Sequence, residues 1–333
     1  MTLVMRGSNS GLIYVIIVTR VNLIRNDGFM RNDMIIARKY KDRWLGLCLI
    51  ITLCISLTIT GKCLKILKSE IQVQNLLTKE FDYDKFRDIR IDKKQMARIK
   101  DEANTLLRKN PNLNGYPYID EIGYLTYSMM VSDFDIINGS VPDMKSFIRG
   151  IGRVSKTDTY SCLYGYYKAI FSDLMYFPVP IINEDTQRVS YDDSWYAPRS
   201  YGGNRRHEGT DLMAGNNIPG FFPIISITDG FVEKIGWLDQ GGNRIGIRSE
   251  SGAYFYYAHL DSYAPDLKEG DAVIAGQVLG FMGDTGYGEE GTKGMFDVHL
   301  HLGIYVNSGD QEISVNPYWI LKMLEYSRIK LIY

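Results

Sequence analysis

His299-Leu300-His301-Leu302-Gly303-Ile304-Tyr305-Val306 sets histidine, glycine and tyrosine against leucine, isoleucine and valine in strict alternation. Successive side chains of a strand point to opposite faces. His299 and His301 therefore share one face, and Leu300 and Leu302 enter a core on the other. The chain has four histidines. The other two are His207, which opens His-Glu-Gly-Thr-Asp and ends at Asp211, and His259, in Tyr-Tyr-Ala-His-Leu.

Histidine is the commonest metal ligand, and the entire supply falls into one pattern. His207 and Asp211 stand four apart, and Gly209 between them is expected to let the backbone turn tightly enough for both side chains to reach one ion. Two imidazoles and one carboxylate make an open three-ligand zinc site whose fourth place is left to water. The two remaining histidines can orient that water, shuttle protons and stabilise a charged intermediate.

Outward from this strand, glycine is dense after about Ser190, and short β-type runs are expected at 224–227, 231–235, 244–248, 254–258, 272–274, 278–282 and 299–306. Turns such as Asp229-Gly230 and Glu269-Gly270-Asp271 separate them. Residues 191–320 thus read as an antiparallel β domain, with 321–333 as a C-terminal tail. Upstream, 62–190 reads as a small, mostly helical region. Asp92 and Gln95 form a capping-box pattern. Met96, Ile99, Ala103, Leu106 and Leu107 then repeat at three and four, up to Asn110-Pro111. Further helices are expected over about 144–151 and 160–175. No chemistry stands out in this region; its expected role is a spacer, with room for a protein partner.

Trp44 to Gly61 is an uncharged run of 18 positions between Arg43 and Lys62, close to the roughly 20 residues that span a bilayer. The basic flank Arg38-Lys39-Tyr40-Lys41-Asp42-Arg43 predicts residues 1–43 in the cytoplasm and everything after Lys62 outside. The run reads as an uncleaved single-pass anchor, with 64–78 continuing it as a helical stalk. Leu12–Val18 is apolar but too short to span, and Met30 or Met34 is the expected start.

At 333 residues the chain suggests about two domains. A net charge of −1 gives no electrostatic case for nucleic acid. Cys48, Cys54 and Cys63 lie in or beside the apolar run and Cys162 stands alone, which is no disulfide framework. The overall class is α+β: a transmembrane helix, a small helical extracytoplasmic region and an antiparallel β-sheet domain.

From about Trp195 to Pro317 the chain resembles the lysostaphin/LytM-type zinc endopeptidases, which cleave peptide stems or cross-links of bacterial peptidoglycan. The resemblance is carried by Asn204-Arg205-Arg206-His207-Glu208-Gly209-Thr210-Asp211, Thr228-Asp229-Gly230-Phe231-Val232 and Tyr257-Ala258-His259-Leu260. It continues through Gly283-Asp284-Thr285-Gly286, His299-Leu300-His301-Leu302 and Asn316-Pro317. It implies a duplicated-hybrid-motif type of sheet forming a groove walled by loops, with 286–297 as one rim. It implies that His207, Asp211 and His301 hold one Zn²⁺. His299 would act as base or proton shuttle, and His259 would orient water or stabilise the tetrahedral intermediate. Peptidoglycan is the implied partner. Some relatives have lost ligands and only bind the wall, so a non-catalytic wall- or partner-binding module of a division or sporulation complex is the alternative. The helical region, or 191–201, is expected to be able to cover the cleft.

Overall fold

A computed structural model describes residues 30–80, 82–182, 188–201 and 203–331. Residues 1–29, with the apolar run at 12–18, lie outside the described residues. The chain divides into two compact units, Met1–Leu67 and Lys68–Tyr333.

In the first unit one feature dominates. Helix α1 (Met30–Thr78) contains the apolar stretch. Among the described residues it is the one helix long and apolar enough to cross a membrane. Two hydroxyls of its apolar stretch bond back to the helix backbone. Thr52 Oγ1 donates to Cys48 O at 2.7 Å and Thr58 Oγ1 to Cys54 O at 2.9 Å, the pattern required where no water is at hand. The four cysteines are free.

The second unit begins with five short helices: α2 (Tyr83–Asp88), α3 (Lys93–Lys109), α4 (Glu121–Val131), α5 (Met144–Val154) and α6 (Asp158–Phe171). Each starts on a side-chain oxygen that accepts an orphan backbone amide: Asp82, Asp92, Asp120, Asp143 and Thr157 in turn. The expected Asp92 cap is present, accepting the Gln95 amide at 2.9 Å. Sequence periodicity missed α4 because Ile122 to Met130 are all buried, and a helix apolar all round shows no stripe. The helix expected over 144–151 runs three residues further. That expected over 160–175 stops at Phe171, because the amides of Met175 and Tyr176 are taken by Ile227 O at 3.0 and 3.2 Å.

The strands are β1 (Val189–Ser190), β2 (Pro198–Arg199), β3 (Arg205–Arg206), β4 (Thr210–Ala214), β5 (Pro223–Ile225), β6 (Gly230–Leu238), β7 (Gly242–Ser249), β8 (Tyr254–Tyr263), β9 (Ala272–Val273), β10 (Val278–Met282), β11 (His299–Ser308) and β12 (Gln311–Val315). Ten of them form one antiparallel sheet in the order β1-β4-β11-β8-β7-β6-β9, with β12 on β11 and β10 joining β8 to β5. β2 and β3 pair separately. Helix α7 (Tyr318–Leu324) follows and buries Ile320, Leu321 and Leu324. The segment expected as a tail is tied down beyond it, with Ile181 N donating to Ile329 O and Leu331 N to Ile181 O.

Helices and sheet share one core, in which Phe86, Tyr167, Phe177, Leu300, Leu302 and Ile304 are fully buried. The helical region is therefore part of the sheet's packing. Arg87 on α2 shows how closely. Its Nε donates to Ser314 O at 2.8 Å, its Nη2 to Glu208 Oε1 at 2.9 Å, and its guanidinium lies over the rings of Trp195 and Tyr196.

Candidate metal centre and cleft

The sheet register brings the metal-type residues together. β11 pairs with β4 so that His301 faces Asp211 and Leu302 faces Thr210, and on its other side His301 faces Ala258 of β8. Leu300, Leu302 and Leu212 enter the core, which leaves the alternate side chains on the cleft face. His207 arrives from the loop before β4, held by backbone bonds to the preceding segment: Tyr196 N to His207 O and His207 N to Ala197 O, both at 2.9 Å.

Three donor atoms converge. His207 Nε2 lies 3.1 Å from Asp211 Oδ1 and 3.0 Å from His301 Nδ1, and His301 Nδ1 lies 2.9 Å from the same Oδ1. The other ring nitrogen of His207 is committed, Nδ1 donating to Ser194 O at 3.1 Å. Its Nε2 thus presents a lone pair to the cluster. Burial by itself would push the Asp211 carboxyl up, but the imidazoles of His207, His301 and His299 around it hold it well below the ordinary carboxylate range. Burial pushes His301 below the ordinary imidazole range. A carboxylate and two electron-rich ring nitrogens at mutual van der Waals distance are a donor set that a cation satisfies, and it is the set preferred by zinc. Asp211 Oδ2 is taken by Arg199 Nη2 of β2 at 2.5 Å.

Gly209 is needed for a different reason from the one expected. It does not adopt left-handed backbone. A Cβ there would lie 2.4 Å from His301 Cε1 and 2.5 Å from Nε2, so the missing side chain makes room for the His301 ring.

The two other histidines stand beside the cluster. His299 Nε2 is 3.8 Å from Asp211 Oδ1, and its Nδ1 donates to Asp297 O at 2.7 Å. His259 owes its place to a backbone irregularity. It has φ +62°, and the β7–β8 register shifts between Asn243 and Ile245, opposite it. Ala258 and His259 consequently both line the cleft, although adjacent strand residues normally face opposite ways, and Leu260 returns to the core. His259 Nδ1 donates to Thr285 O at 2.7 Å. Burial, then the nearby His299 and His301, push His259 well below the ordinary imidazole range, so it sits neutral with Nε2 unprotonated.

These groups line a cleft of about 870 Å³. Phe296 packs edge-on against His259 and His299, with ring centroids 4.6 and 5.0 Å away. Tyr287 of the rim stacks on Tyr201 at 4.0 Å. The 191–201 segment therefore forms a wall of the cleft. Arg199, Arg205, Arg206 and Arg244 also line it. Sequence reading singled out none of them as site residues, since a lone arginine carries no spacing signal. Arg87, from the region without evident chemistry, reaches the His207 loop through Glu208.

A family model described as Peptidase family M23 matches residues 205–317. The L-Ala–D-Glu endopeptidase of Bacillus subtilis (strain 168) is 43% identical over 149 residues, covering 45% of this chain and 43% of that protein. Lysostaphin of Staphylococcus simulans is 32% identical over 136 residues, covering 40% of this chain and 25% of that protein. The chain spans less than half the length of the curated relatives it matches. A crystal structure of a proposed glycyl-glycine endopeptidase, LytM, from Ruminococcus gnavus superposes with a TM-score of 0.62 at 42% identity, covering 79% of this chain and 98% of that one. With nearly all of that neighbour accounted for at this identity, the chain belongs to peptidase family M23 and is homologous to the lysostaphin/LytM-type peptidoglycan endopeptidases.

Proposed function

We propose that this protein is a membrane-anchored, zinc-dependent endopeptidase that hydrolyses peptide bonds in the stems or cross-bridges of bacterial peptidoglycan. The convergence of His207 Nε2, Asp211 Oδ1 and His301 Nδ1 in an open cleft, with two further histidines beside them, carries the reading. His207, Asp211 and His301 would hold one Zn²⁺. When bound, the ion supplies Lewis-acid polarisation of a carbonyl and a nucleophile at neutral pH.

The chain's own residues complete the chemistry. His299 donates through Nδ1 to Asp297 O, so its Nε2 carries the lone pair and serves as the base that takes the nucleophile's proton and later returns it to the leaving amine. His259, fixed through Nδ1 on Thr285 O, accepts a hydrogen bond at Nε2 from the nucleophile and so orients it. Phe296 covers both rings on one side, which restricts water and strengthens the polar contacts made inside.

In the same proposal, 44–61 spans the membrane, 1–43 is cytoplasmic, and the helical region 62–190 and the peptidase domain 191–320 lie outside. The support is the apolar α1, its basic N-terminal flank and the wall-degrading relatives.

The test is release of new amino groups from purified peptidoglycan by the detergent-solubilised full chain, with and without chelator. Chelator-sensitive release is expected, and the products would name the bond. No release from several wall types by zinc-loaded protein would favour a non-catalytic binding module instead.

A further inference from the structure

The charges lining the cleft do not balance locally. Its carboxylates are accounted for. Asp211 meets Arg199 and the histidines, Glu208 meets Arg87 at 2.9 Å, Glu312 meets Arg248 at 2.6 Å, and Asp297 accepts from Asn217 at 3.1 Å. Its cations are not. Among the described residues no carboxylate lies within ion-pair distance of Arg205, Arg206 or Arg244. Arg205 and Arg206 donate only to backbone carbonyls, of Tyr201 and Tyr196.

Arg244 on β7 goes further. Its Nη1 is buried and has no hydrogen-bond partner, which is costly for a charged donor. Around it the cleft is lined by Tyr254 and Tyr256 of β8 and Tyr305 of β11. Burial pushes the Tyr254 phenol up to about 12 and raises Tyr256 and Tyr305 too, while the Arg244 charge pulls Tyr254 and Tyr256 back. All three stay protonated at neutral pH and can donate. Arg205 acts on Tyr256 as well.

We infer that Arg244, with Arg205 and the hydroxyls of Tyr254, Tyr256 and Tyr305, forms a carboxylate-recognising subsite, so that the peptide cut here carries a free carboxylate close to the scissile bond. The inference rests on the peptidase reading, because the anion must belong to the chain lying in the cleft. A guanidinium fork flanked by phenol donors matches a planar carboxylate, which it can bind in bidentate fashion. A peptide of uncharged residues, such as a run of glycines, would leave the guanidinium groups of Arg244 and Arg205 in the cleft without an anionic partner.

The test uses the zinc-loaded, detergent-solubilised full chain and two synthetic stem peptides containing L-alanyl-γ-D-glutamate. One has the glutamyl α-carboxylate free and the other has it as the amide. We read kcat/KM for each, and Kd for each on the His299→Ala variant. The free acid should be preferred by about tenfold or more in kcat/KM and in Kd, as for the loss of one charge-assisted contact. In Arg244→Gln the ratio should fall toward one, while Arg244→Lys should keep part of it, with zinc content unchanged in both. Equal use of the two peptides by the wild type, or a preference that survives both Arg244→Gln and Arg205→Gln, overturns the subsite and leaves the peptidase intact. Preferential binding of the free acid without cleavage sustains the subsite and sinks the peptidase reading. Failure to bind or cut either peptide overturns the subsite, and the peptidase reading then rests on the release of amino groups from whole peptidoglycan.

Discussion

Arg199 Nη2 holds Oδ2 of Asp211 at 2.5 Å, while Oδ1 of the same carboxylate faces His207 and His301. One oxygen is thereby reserved for the cluster and the other is tied to the β2–β3 hairpin. Groups of this kind tune the ligands they orient, and losing one typically costs about 10–100-fold in metal affinity. Arg199→Ala should weaken zinc binding by that order in competition titrations against a chromophoric chelator. Unchanged affinity would show that the contact does not steer the carboxylate.

Asp211→Ala and His301→Ala each remove one of three donors. Both variants should purify with little zinc, and elemental analysis is the check. Near-stoichiometric metal in either would overturn the proposed ligand set.

His299→Ala should behave differently. It lies outside the three-donor cluster, so zinc content should hold, whereas loss of a general base typically slows turnover by about 10²–10⁴-fold. Wall cleavage at the wild-type rate would remove His299 from the mechanism.

Gly209→Ala places a Cβ against the His301 ring and 2.7 Å from Leu302 O. Overpacking of this kind costs about 1–3 kcal/mol. The metal-free protein should lose that much in denaturant unfolding, and the displaced His301 should also weaken zinc binding. A neutral effect on both measurements would mean that β11 yields easily.

Arg87→Ala removes the helical region's grip on the cleft. Ser314 and Glu208 lose their partner, and the cation stacked on Trp195 and Tyr196 disappears. Glu208 is half exposed and can turn to water, so the expected cost is modest, about 1–3 kcal/mol. Turnover should fall with it, because Tyr196 is bonded to the His207 backbone. If stability drops and turnover per folded molecule does not, the contact serves packing alone.

Part of the site was legible because it is written in local backbone geometry. The two-residue period of 299–306 put His299 and His301 on one face whatever the rest of the fold did, and the register against β4 and β8 honoured it. Helix starts were legible at Asp92 for the same reason, since a cap acts three residues away. The buried helix α4 was not, because uniform burial erases the periodic signal.

By itself the sequence determined which residues could hold a metal, which strand would carry two of the four histidines, and which stretch could cross a membrane, for each depends on composition and short-range spacing. Tertiary structure alone decided the rest. Arg199 reaches Asp211 across 12 residues and Arg87 reaches Glu208 across 121. The left-handed bulge at His259 exists only once β7 and β8 pair out of step. Arg244 became notable only when packing buried its Nη1 without a partner. A strand's alternation is dictated by neighbouring peptide units, whereas a charge's partner is whichever group the finished fold brings beside it.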